Sequence, residues 1–413
     1  MKRIKFKSYN YYPDFSNEII INNCLELVNN INRKAVNGFE HFSFHELALN
    51  FSNENVKEIN EFAQKIVSDN TTDLLILASD RLISNYLAAE KILFSDDVLA
   101  ENKIQFHFIN CDLSPEYILK KHEKIIDLLL YKNTKILIAS LTEFSDWIMN
   151  YFKNILNIMQ RKLGYYNALN KIFLVSNVAV ENQFEFASLT LENCMIIPSI
   201  LHERFSFFAE NNMLLLLLKG ADISQIHDGY FSASQEWLLN KVDKNIIYQI
   251  AYISSFLRKK TDKCFVVSLA NSLEGISFMH AQLQNELFMQ KFKNFSIDIN
   301  FTREIETYGQ TLLQDSKKYF AWTFDSHDEH FDYRISPDVY NDDGVPTSDQ
   351  GRLSNIKRKM NQGILNTLVN VAGATILHLE VNVPNELSLG ALICVLYWST
   401  IYECYINGIN PYD

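Results

Sequence analysis

The chain has 413 residues, a formal net charge of −11 and 47% apolar and 13% aromatic residues. It is long enough for two domains, each with a sizeable core, and its acidic balance excludes nucleic acid as a partner, because tracking a phosphate backbone needs a basic face. Only 12 residues are glycine, against roughly 7% in average proteins, so few positions allow the close backbone approach that phosphate sites use.

The opening stretch MKRIKFKSYNYYPD is basic but no apolar segment follows, so it does not read as a secretory signal. It is taken as a strand, followed by amphipathic helices in NEIIINNCLELVNNINRKAV and NENVKEINEFAQKIV, whose apolar residues recur at i, i+3, i+4. An alternation follows. Strands are expected at 73–78, 103–110, 134–140, 170–176 and 192–198, with helices at 82–93, 114–131 and 143–163 between them. After a helix that stops at Gly220 and long helices through 233–260, the rhythm resumes with strands at 263–269, 295–301 and 374–381 and helices at 276–291, 303–315, 352–370 and 386–404. Strand–helix alternation predicts α/β architecture: two doubly wound parallel-sheet domains with helices on both faces. The expected division is a helical segment 1–50 packing on the core, a first domain 51–200 and a second domain 201–413. The halves share a rhythm, as two copies of one unit would.

The longest apolar runs, MLLLLL (213–218) and GALICVLYW (390–398), fall short of the roughly 20 residues that span a bilayer. A soluble, cytoplasmic protein without membrane insertion is expected. Cysteines 24, 111, 194, 264, 394 and 404 form no CxxC pair and read as reduced thiols.

One turn is unusual. Leu77-Ala78-Ser79-Asp80-Arg81 joins a strand to a helix, where α/β proteins often place a glycine-rich phosphate loop, yet it has no glycine. Other segments give it a context. LHERFSFFAENNMLLLLLKGADI (201–223) resembles the Gly-Gly-Arg-Phe-Ser signature and following apolar helix of glucose-6-phosphate isomerases. FTREIETYGQTLLQ (301–314) is similar to their Asp-Leu-His-Ser-Met-Gly-Gln segment, INGINPYD (406–413) to their Gly-Val-Asn-Pro-Phe-Asp signature, and HFINCDLSPEYI (107–118) to their second strand and helix start.

The resemblance implies two stacked sugar-isomerase (SIS-like) domains, commonly in a homodimer, and interconversion of aldose and ketose phosphates through an enediol. Such chemistry needs a carboxylate base, a cation on the enediolate, groups for ring opening and a phosphate cradle. By resemblance, Glu286 in QLQNEL (282–287) holds the base position, Gln282 a substrate-binding glutamine and Arg204 the arginine. Glu203, beside Arg204, is placed to neutralise it. Glu306 stands at the histidine position, where a carboxylate donates no proton at neutral pH unless its pKa is greatly raised. The phosphate loops align with Ser79, Asp80 and Arg81 and with ASLTEFSD (139–146), where Ser145 and Asp146 keep the expected character. Asp80, Glu143 and Asp146 bring negative charge against a dianion. Arg81 is an alternative phosphate ligand, set against a solvated helix start paired with Asp80. The family pattern continues beyond Asp413 into a glutamine and a catalytic lysine that are expected to be missing.

His327 and His330 have metal-ligand spacing on a helix, but their surroundings alternate like a strand or hairpin and offer no third partner. NDDGVPTSDQG (341–351) lacks the spacing of a calcium loop. No cofactor or metal is expected. The sequence reads as a catalytically inactive isomerase homologue retained as a structural or interaction subunit, partnered by other protein subunits or a second copy. Its alternatives are a divergent working isomerase and a sugar-phosphate sensor.

Overall fold

The computed structural model describes residues 3–51, 53–94, 104–109, 115–198, 200–237, 239, 241–326, 333 and 352–413. Strands β1 (Ile4–Tyr9), β2 (Asp73–Ala78), β3 (Gln105–Ile109), β4 (Thr134–Ser140), β5 (Ile172–Ser176), β6 (Cys194–Ile196), β7 (Lys263–Ser268), β8 (Phe295–Asn300), β9 (Tyr319–Ser326) and β10 (Thr375–Val381) form two sheets. Their orders are β3-β2-β4-β5-β6 and β1-β10-β9-β7-β8. The first is parallel throughout; the second is parallel except for β1, which runs antiparallel to β10. In both sheets the first strand after the preceding helices lies second from one edge, its successor takes that edge, and the next crosses to the other side. The shared order makes the two units topological copies, each doubly wound and SIS-like. They differ at the end of the sheet, which β6 fills in one and the N-terminal β1 in the other. The second unit therefore borrows its edge strand from the opening segment, which is not purely helical.

Hydrophobic patterning explains which strands are central. β2, β4 and β5 are buried at every position, as uninterrupted aliphatic runs covered by helices on both faces require. The helix Glu386–Ile406 is buried throughout from Ser388 to Cys404. It is long and apolar enough by composition to cross a membrane, yet 89% of its most apolar window is packed inside this fold. The five cysteines among the described residues are free thiols; Cys111, His327, His330 and the segment 341–351 lie outside the described residues.

One helix carries both a contact between the units and a buried ion-pair cluster of the second unit. The helix Glu274–Phe292 of the second unit lies on the helix Asp80–Leu93 of the first. Gly275 permits this approach, since a Cβ there would sit 2.5 Å from the Leu87 carbonyl oxygen and 2.7 Å from Ala88 Cα. On its core side the same helix presents Gln284 to a buried ion pair, Arg258–Glu403 at 2.7 Å, both side chains at most 1% exposed. Ser254 donates to the second Glu403 oxygen at 2.7 Å and Arg258 also reaches Asn294 at 3.3 Å, so neither charge is left without hydrogen bonds.

Candidate active-site cleft

Helical periodicity gives the helix Glu274–Phe292 two working faces. His280 and Gln284 point into the core, where the Gln284 amide meets His280 Nε2 at 2.7 Å. Gln282 and Glu286, also four apart, point the other way. They form one wall of a cleft of about 590 Å³ between the two units. The opposite wall is the β2 turn with Ser79, Asp80 and Arg81, joined by Thr142 from the turn after β4. β2 and β4 are adjacent strands whose connections leave in opposite directions, so the cleft opens at the topological switch point, where α/β sheets bind ligands. The short 3₁₀ turn Glu203–Phe205 closes the end with His202, Glu203 and Arg204.

Charge in the cleft is paired internally. Arg81 Nη2 donates to Glu286 Oε1 across the boundary between the units, and Arg204 Nε donates to Glu286 Oε2 at 3.1 Å. Both carboxylate oxygens thus accept charge-assisted hydrogen bonds. Arg204 is held from behind as well: Nη1 donates to the Pro411 carbonyl at 2.6 Å and Nη2 to the main-chain oxygen of Asp413 at 3.2 Å. The Arg81 side chain is 9% exposed and the Arg204 side chain 15%, whereas Glu286 is 40% exposed.

These contacts revise two sequence readings. Asp80 is exposed as expected of a helix start, but Arg81 turns inward to an acid 205 positions away. Glu203 does not neutralise Arg204; its carboxylate accepts from Thr142 Oγ1 at 3.4 Å, and Glu286 neutralises Arg204 instead. Ser79 is a helix cap, its hydroxyl accepting from the Leu82 amide at 3.4 Å. Gln282 accepts from Ser84 Oγ at 2.9 Å and so ties the two units together.

The turn after β4 is also internally satisfied. Ser140 Oγ accepts from the Thr142 amide at 3.1 Å, and the Gln183 side chain accepts from the Phe144 amide at 2.8 Å and donates back to its carbonyl at 3.1 Å. Two main-chain amides of this turn, those of Thr142 and Phe144, therefore have side-chain partners, where a glycine-rich turn would offer such amides to a phosphate. Ser145 is exposed at the start of the helix Asp146–Leu163 and does not line the cleft. Glu306 sits on an exposed position of the helix Phe301–Gln314, also outside the cleft lining. It does not stand in for a ring-opening histidine within this chain.

Sequence reasoning missed Thr142 and His202 as wall residues. His202 Nδ1 accepts from the Arg204 amide at 3.2 Å and caps the 3₁₀ turn. Burial pushes its imidazole down to about 4, with the Arg204 and His41 charges adding to the shift, so it is neutral across the physiological range.

No protein-family model matches the chain. Curated relatives do. The chain is 21% identical over 397 residues to the glucose-6-phosphate isomerase of Caldanaerobacter subterraneus subsp. tengcongensis, covering 94% of this chain and 86% of that protein. It is 22% identical over 409 residues to the glucose-6-phosphate isomerase of Streptococcus equi subsp. zooepidemicus, covering 91% and 84%. The chain is a distant homologue of these glucose-6-phosphate isomerases. Its fold agrees: a hypothetical protein of Thermus thermophilus superposes with a TM-score of 0.80 at 14% identity, covering 99% of this chain and 96% of that one. A glucose-6-phosphate isomerase of Chlamydia trachomatis gives 0.72 at 10% identity, covering 100% and 85%. As a glucose-6-phosphate isomerase homologue the chain is notable for what it brings together. Glu286, Arg204 and Gln282 meet at one cleft, but Arg81 joins them where the resemblance implies a glycine loop, and Ser145 and Glu306 stay away.

Proposed function

We propose that this homologue is catalytically inactive and serves as a structural or protein-interaction subunit. The observation that supports this reading is the Arg81–Glu286–Arg204 bridge. A base that moves a carbon-bound proton needs an oxygen open to the substrate, and each oxygen of Glu286 is engaged by a guanidinium. A cation that stabilises an enediolate must be aimed at the developing charge, and Arg204 is aimed at Glu286, Pro411 and Asp413. The Thr142 and Phe144 amides after β4, which already have side-chain partners, support the same reading, since remote phosphate binding would otherwise position the reacting end.

The helix Leu353–Asn366 supports a partner role. Leu353, Ile356 and Met360 form an outward stripe at i, i+3, i+7 and are 49%, 46% and 49% exposed, while Asn361 and Leu365 anchor the inner face. An apolar stripe of this spacing suits helix-in-groove or helix–helix docking. Another protein subunit or a second copy of this chain would fit it.

A working isomerase is the second reading, supported by the meeting of Glu286, Arg204 and Gln282 in one cleft. A coupled assay of purified protein with fructose 6-phosphate separates the two. The inactive reading expects no turnover above a protein-free control, and saturable turnover abolished by Glu286→Gln would replace it. Met360→Glu is expected to release a co-purifying partner without lowering the melting temperature.

A further inference from the structure

We propose that a small pocket beside the N-terminal helical segment binds a neutral, single-ring aromatic molecule with one hydrogen-bond acceptor, of the phenol class. The pocket shares no lining residue with the cleft. It has a volume of about 150 Å³ and lies between the helices Glu18–Asn32, Ser43–Leu49 and Glu386–Ile406, with Ile31, Phe42, Trp398 and Tyr402 as its apolar walls. Phe42, Tyr402 and His45 all meet the Trp398 ring edge to face, with centroids 5.5, 5.9 and 4.9 Å away.

The hydrogen bonds of His45 fix what this wall offers. Trp398 Nε1 can only donate, and it lies 2.9 Å from the Tyr230 hydroxyl and 3.3 Å from His45 Nδ1. The Tyr230 hydroxyl is 2.8 Å from the same ring nitrogen. Nδ1 is therefore the acceptor of the imidazole, and the proton sits on Nε2. Nε2 has no hydrogen-bond partner among the described residues, and the ring lines the pocket. Burial holds the imidazole down to about 4, against the opposing pull of Glu46, so His45 is a neutral N–H donor.

Size, shape and charge narrow the ligand. The volume is below the roughly 300–1,000 Å³ of drug-sized sites and equals that of an apolar cavity of roughly 150 Å³ that takes benzene, so one ring fits and two do not. Aromatic walls favour a planar ring in offset or edge-to-face contact. Lys34 and Glu46 line the rim and neutralise each other at 2.8 Å, so a charged ligand gains no partner there. Both of their side chains are more than half exposed, and an exposed pair of this kind contributes little, so opening the rim to admit a ligand costs little.

The test is a saturation-transfer NMR titration of the full chain with phenol and, separately, toluene, on the wild type, Ile31→Phe and His45→Phe. Circular dichroism checks folding. The wild type is expected to bind phenol saturably and about tenfold more tightly than toluene, the margin one sheltered hydrogen bond supplies. Ile31→Phe fills the pocket and is expected to abolish binding of both. Glu46→Trp, at the exposed rim, blocks the mouth and serves if Ile31→Phe does not fold. His45→Phe keeps the apolar lining and is expected to bring phenol to the level of toluene. If that variant does not fold, the margin between phenol and toluene on the wild type reads the donor by itself. No saturable phenol binding, phenol binding that survives the blocking variants, or toluene bound by the wild type as tightly as phenol overturns the proposal.

Discussion

Two arginine–glutamate clusters flank one helix, and their difference lies in burial. On the core side of Glu274–Phe292, Arg258 and Glu403 are sealed at 0% and 1% exposure and surrounded by Ser254, Asn294 and Gln284. On the cleft side, Arg81 and Arg204 converge on a Glu286 that still meets solvent at 40%. The same chemistry makes a sealed cluster in the core and a solvent-facing bridge in the cleft. A buried pair cannot lose one member without stranding the other charge in a low-dielectric interior. On the cleft side water reaches the carboxylate and screens the pair, so its loss costs less than in the sealed core.

Breaking the sealed cluster is expected to have the largest effect. Glu403→Gln leaves Arg258 uncompensated and should cost about 3–5 kcal/mol in urea unfolding. Next is pH. Burial holds His202 down to about 4, below its unfolded value of roughly 6.5, so the unfolded chain binds more protons between these limits. The associated stability is fully present above about pH 6.5 and is lost as pH falls towards about 4. The wild-type minus His202→Gln stability difference should therefore shrink on acidification across that window. The difference between the two proteins cancels other titrating groups, among them Asp298, which burial pushes up to about 6.

Gly275→Ala should come third, at about 1–3 kcal/mol, since its Cβ meets main-chain atoms of Leu87 and Ala88. It sharpens the comparison because it pushes Glu286 away from Arg81 while sparing Arg258–Glu403. Glu286→Gln should be mildest, about 1 kcal/mol. If it proved as costly as Glu403→Gln, the two clusters would not differ in kind.

The sheets were legible because they rest on local patterning. β2, β4 and β5 are aliphatic runs long enough to name from sequence, and their buried positions match that pattern. β9 was harder: YFAWTFDS mixes aromatics and polar residues, and its alternation suggested a strand or hairpin without a place in either sheet. The cleft was legible in part. Glu286, Gln282 and Arg204 were marked by motif resemblance, and the structure places all three on one cleft. Arg81 was read against its neighbour Asp80, because sequence shows only adjacency, whereas its partner lies 205 positions on. The pairing of Gln183 with the Phe144 main chain was invisible for the same reason. Nothing local marks a glutamine that will fold back onto a turn from the preceding crossover. Glu306 lies at an exposed position of the expected helix, outside the cleft lining of this chain.

The central claim is that the Arg81–Glu286–Arg204 bridge replaces catalysis. Its most direct test is the rate of glucose 6-phosphate formation from fructose 6-phosphate by the purified wild type, with Glu286→Gln as the reference. Equal rates for the two proteins, at the level of the protein-free control, are what the bridge predicts. Saturable wild-type turnover that Glu286→Gln abolishes would show Glu286 working as a base and would contradict it.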